Sequence, residues 1–211
     1  MVDAVADDIS PRRLRLLACA YCRLIWHKLS WHKRQLVEAA EAFADRRLSE
    51  EEWAETQDDA RAGVEDYGGS PGTQAAACVA CDVSAVREYW KTLAAWVWEV
   101  SWLVVAELTK WDGPSGMFPP PSQGFAAQAA LARCALGNPF RPVEFNPQWR
   151  TDDTVRLARQ MYESRDFTAM PILADALQEA GCDGEQILGH CRGEGPHVRG
   201  CWVVDLLLDI Q

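Results

Sequence analysis

Helix-start signals recur along this chain, and they constrain its fold more than any other feature. Ser10-Pro11, Ser49 with Glu52, Ser70-Pro71, Ser122, Thr151, and Asp183 with Gln186 each set a side-chain oxygen ahead of a run with helical apolar spacing. An oxygen so placed accepts a backbone N–H that the first turn leaves unbonded, and proline at the first helical position sacrifices no hydrogen bond. No stretch alternates apolar and polar residues long enough to predict a strand. The expected fold is all-α, a single irregular helical bundle of about nine helices.

The first helix is expected over residues 11–29. Leu14, Leu17, Ala18, Tyr21, Cys22, Ile25 and Leu29 lie on one face, widened by Leu16, Ala20 and Leu24. A second is expected over 31–45 and a polar third over 50–66. Gly68-Gly69-Ser70-Pro71-Gly72 then interrupts the chain before a long tryptophan-rich central helix that ends near Trp111. Its stripe is Val86, Trp90, Leu93, Val97, Val100, Val104 and Leu108, and Trp96, Trp98 and Trp102 broaden it. The segment 112–122 is too rich in proline and glycine for regular structure. It divides an amino-terminal helical region, 1–111, from a carboxy-terminal group of short helices, 123–211, within what reads as one compact domain. In the second region helices are expected over 123–136, 152–164, 171–180, 184–191 and 198–208.

Ten tryptophans imply a bulky core, because each indole can bury roughly 150–250 Å². The most apolar run, 94–106, carries Glu99 and falls well short of the roughly 20 residues that span a bilayer, so no membrane partner is expected. The acidic start MVDAVADDIS lacks the features of a signal peptide, which predicts a cytoplasmic protein whose eight cysteines are reduced.

Cys182, His190, Cys191, His197 and Cys201 fall within one short stretch near the carboxy terminus. Zinc takes four thiolate or imidazole ligands in a tetrahedron. The loop through Gly193, Gly195 and Pro196 lets Cys191, His197 and Cys201 converge, with His190 or Cys182 as fourth ligand. The competing expectation is plain packing, since His190 and Cys191 are adjacent and point apart on a helix. Two CxxC pairs, Cys19/Cys22 and Cys78/Cys81, lie inside expected helices, where core packing accounts for them. A nucleophilic site would need Cys191 or Cys201 beside His197 and Asp205. The chain carries no nucleophile elbow, zincin, phosphate-loop or dinucleotide fingerprint.

The carboxy-terminal third resembles an uncharacterised bacterial family associated with planctomycetes. The matching residues are Gly137-Asn138-Pro139-Phe140-Arg141-Pro142, Met170-Pro171-Ile172-Leu173-Ala174-Asp175-Ala176-Leu177, and His190-Cys191-Arg192 with His197 through Leu208. Arg15 to Cys19 and Cys22 to His27 are similar to its opening helix. The resemblance implies a bacterial domain but carries no known activity and no catalytic residues.

Net charge is −10, yet residues 9–37 hold no acid and seven bases, while 38–66 hold eleven acids and three bases. Either the two segments satisfy each other within the fold, or the basic one meets an anionic partner such as RNA or DNA through Arg12, Arg13, Arg15, Trp26 and Trp31. The net charge disfavours nucleic acid. The function expected from sequence is a non-catalytic domain that binds another protein, the alternatives being a structural zinc domain and a nucleic-acid binder.

Overall fold

A computed structural model describes residues 9–64, 93–109 and 123–210. Among them the fold is all-α, with nine α-helices and no strand. The chain divides into two compact units, Met1–Ala129 and Ala130–Gln211. The expected linker 112–122, the pair Cys78/Cys81, and Val86 and Trp90 of the expected stripe lie outside the described residues. No helix among those described is long and apolar enough to cross a membrane.

In the amino-terminal unit, helix α1 is Pro11–Leu24, α2 is Trp31–Ala44, α3 is Glu50–Val64 and α4 is Leu93–Thr109. The Ser10 hydroxyl accepts the Arg13 N–H at 3.4 Å and Pro11 opens α1. The expected continuation of α1 to residue 29 is replaced by a 3-10 turn, Trp26–Lys28. The reason is the next cap: Ser30 must be extended (φ −62°, ψ 160°) to accept the Lys33 N–H, so α1 has to end before it. Helix α3 opens on the capping box read from sequence. The Glu52 N–H donates to Ser49 Oγ at 3.2 Å, and the Ser49 N–H donates to Glu52 Oε2 at 2.8 Å. The Ser49 N–H and hydroxyl both donate to the Glu52 carboxylate and hold it below its usual pKa.

Helix α1 is enclosed, as its wide apolar face predicts: Leu14, Leu16, Leu17, Ala18, Cys22 and Ile25 are buried. It packs against α2 and α4. Val97, Val100 and Val104 of the expected stripe are buried, and so are Leu103, Val105 and Ala106, which shows that α4 is covered on more than one side.

Part of the basic stretch finds acidic or carbonyl partners inside this unit. Arg23 grips Glu41 with two hydrogen bonds of 2.9 Å, and the Glu41 side chain is almost fully buried. Lys28 donates to the Glu107 carbonyl at 2.7 Å. Replacing Arg23 with alanine removes a bidentate, charge-assisted contact to a buried carboxylate and is expected to cost about 2 kcal/mol. A urea melt checks this, with Arg23→Lys expected to recover part of the loss because it keeps charge without the fork.

In the carboxy-terminal unit, α5 is Gln123–Leu136, which the division between units crosses, α6 is Asp152–Ser164, α7 is Met170–Glu179, α8 is Glu185–Arg192 and α9 is Trp202–Leu208. Thr151 caps α6 by accepting the Thr154 N–H at 3.3 Å. Ala158, Met161, Met170, Leu173, Leu177, Ile187, Val203, Val204 and Leu207 form a core that also includes Cys134, Cys182, Cys191, Cys201 and Trp202. Helix α9 starts later than the expected residue 198. Gly200 sits at φ +86°, a left-handed turn that halts any earlier helix and leaves Cys201 as the N-cap residue rather than in the first turn. Arg150 closes the other end, donating to the Leu206 carbonyl at 2.8 and 3.1 Å and pairing with Asp209 at 2.7 Å.

Candidate metal centre

Three of the five residues expected to gather at the carboxy terminus do so, joined by one that sequence spacing misses. His190, His197 and Cys201 meet Cys134, and one ligand atom from each lies within 4.8 Å of the other three. Cys134 comes from the last turns of α5, His190 from α8, His197 from the loop after it, and Cys201 from the N-cap of α9. His190 Nε2 is 3.2 Å from Cys201 Sγ, and His197 Nδ1 is 3.9 Å from Cys134 Sγ. The two imidazoles meet edge to face, their centroids 4.9 Å apart at 85°. The indole of Trp202 lies 5.4 Å from the His190 ring.

A tetrahedral zinc with Zn–S near 2.3 Å and Zn–N near 2.0–2.1 Å separates sulfur from nitrogen by about 3.5 Å. These two of the four sulfur–nitrogen separations, 3.2 and 3.9 Å, bracket that figure. Both cysteines are buried and both histidines half-buried. His197 Nε2 is also buried without a hydrogen-bond partner. A buried polar nitrogen left unsatisfied costs about 1–3 kcal/mol. Burial, with Cys134 alongside, pushes the Cys201 thiol up to about 12. A cation there must therefore displace a proton.

Cys182 and Cys191 are corrected out of the ligand set, although both are buried. Cys191 follows Ile187 by four positions, so the two share the face of α8 that enters the core, while His190 points roughly 100° away towards Cys201. Cys182 sits in the turn after α7, its N–H bonded to the Leu177 carbonyl. Burial raises both thiols above their usual value. Cys134 carried no local signal: it stands in an ordinary apolar helix far upstream of His190, and only the tertiary fold brings it in.

Of the residues expected to meet a partner, Arg12 donates to Asp45 at 3.0 and 3.2 Å, and Arg13 is half-buried. Arg15 is buried, its guanidinium 5.3 Å from the Phe43 ring and 5.0 Å from that of Trp53, which stack on each other. Trp26 lies beneath Arg23 at 3.9 Å and near Arg34 at 5.5 Å. Trp31 is exposed, at 73%. Cys19 and Cys22 are buried in α1, with Cys19 Sγ 3.8 Å from the Val37 carbonyl.

No protein-family model, curated protein or solved structure matches the chain.

Proposed function

We propose that the carboxy-terminal unit is a structural zinc domain in which Cys134, His190, His197 and Cys201 hold one Zn²⁺. The observation that carries this reading is the convergence of two thiols and two imidazoles from four separate segments, at separations suited to a tetrahedral ion. Two sulfurs and two nitrogens favour zinc over the oxygen-seeking magnesium and calcium. Four protein ligands leave no open coordination position, which assigns the metal a structural role rather than a catalytic one. It would tie the end of α5 to α8 and α9 and fix the glycine-rich loop between the last two.

The test is zinc content after saturation and desalting of the full chain. About one equivalent is expected, falling below about 0.2 in Cys134→Ser and unchanged in Cys191→Ser. Equal loss in both variants, or no zinc in the parent, defeats the assignment.

The pH dependence has a fixed sign. Zinc takes the thiolate, and the Cys201 thiol holds its proton up to about 12 without metal, so binding expels that proton throughout the neutral range. Apparent affinity should rise at least tenfold for each pH unit between about 6 and 8, and competition with a chromophoric chelator at several pH values measures the slope.

A further inference from the structure

We propose that Cys134 and Cys201 form a reversible disulfide that competes with zinc, so that a small peroxide discharges the site; this rests on the metal reading of the same four side chains. The six described cysteines are all free and buried. Cys134 and Cys201 are the two whose sulfurs belong to the group held within 4.8 Å. A disulfide bond is about 2.05 Å long, so closure asks each sulfur to move little more than an ångström.

Cys201 lies outside the interior of any helix. It stands at the N-cap of a seven-residue helix, directly after Gly200 at φ +86° and a loop containing Gly193 and Gly195. The pair in α1 differs. Cys19 and Cys22 sit one turn apart on an enclosed helix, and Cys19 is engaged with the Val37 carbonyl. Access also discriminates between oxidants. Both sulfurs are buried, which hinders a bulky disulfide such as oxidised glutathione more than a molecule the size of hydrogen peroxide.

The chemistry balances. In the metal-free protein two thiols and one hydrogen peroxide give one disulfide and two waters. The O–O bond breaks, the S–S bond forms, two electrons pass from sulfur to oxygen, and the thiol protons complete the waters. In the loaded protein the two thiolates supply the same electrons, two protons come from solvent, and Zn²⁺ leaves because two imidazoles alone do not hold it. A thiol reductant reverses the step and restores the ligands.

The experiment uses the full chain, loaded with zinc or metal-free, exposed to hydrogen peroxide or to oxidised glutathione. Zinc release is followed with a chromophoric chelator, and the cysteine links by peptide mass spectrometry. The expected result is about one zinc released per Cys134–Cys201 disulfide, at least tenfold faster with peroxide than with oxidised glutathione, and full reloading after dithiothreitol. Cys191→Ser should behave as the parent, which excludes a third thiol as the partner. A link to Cys191 or Cys182, release accompanied only by sulfinic acid, or comparable rates with both oxidants overturns the proposal. Zinc uptake with both thiols still alkylatable after peroxide defeats this inference alone. Disulfide formation in a chain that takes up no zinc defeats the metal reading and the competition with it.

Discussion

Stripping zinc from the loaded protein with a chelator is expected to lower the melting temperature of the carboxy-terminal unit by roughly 15–30 °C. An ion that binds the folded state at a thousandfold above its dissociation constant adds about 4 kcal/mol, and in a unit of this size each kcal/mol moves the midpoint by roughly 4–8 °C. The amino-terminal unit contributes none of the four ligands, so its transition should stay where it was. Differential scanning calorimetry with and without chelator reads the two transitions separately. Cys134→Ser should melt like the stripped protein and be indifferent to chelator, whereas Cys191→Ser keeps the response. An unchanged melt in a protein with less than about 0.2 equivalents of zinc would refute the structural role.

The asymmetry between Cys134 and Cys191 also shows what the sequence could disclose. Helix starts are local events: Ser10, Ser49 and Thr151 each cap a backbone N–H three residues on, and the cap and its target can be read in the same few letters. The buried face of α1 is equally local, because the 3.6-residue period fixes which side chains share it. His190, His197 and Cys201 were legible as ligands for the same reason, being close in sequence on either side of a glycine-rich loop. Cys134 was not, because its partnership depends on how α5 packs beside α8 and α9. Cys191 has the same nearness in sequence, but the 100° step between adjacent helical residues sends it into the core with Ile187. The late start of α9 is illegible in sequence for a further reason. Val198 fits the apolar period, but the left-handed turn at Gly200 decides where the helix begins.

The same left-handed geometry makes Gly137→Ala a damaging single methyl in the carboxy-terminal unit. Gly137 ends α5 at φ +67°, one turn after Cys134, and its N–H bonds to the Arg133 carbonyl. An L side chain in this conformation costs about 1–2 kcal/mol. A Cβ here would also lie 3.2–3.4 Å from three ring atoms of Trp202. That indole is buried and lies against the His190 ring, so yielding by a few tenths of an ångström presses on that ring, and overpacking adds about 1–3 kcal/mol. The total is about 3 kcal/mol. Gly181 supplies the control. It sits at φ +84°, yet a Cβ there meets nothing within 4 Å, so Gly181→Ala should show the backbone cost alone. Urea melts of the two variants isolate the contact with Trp202 by difference, and equal losses would refute it. Because Trp202 backs His190, Gly137→Ala should also weaken zinc affinity at least threefold while Gly181→Ala leaves it unchanged, which separates damage at the ligand from loss of stability alone.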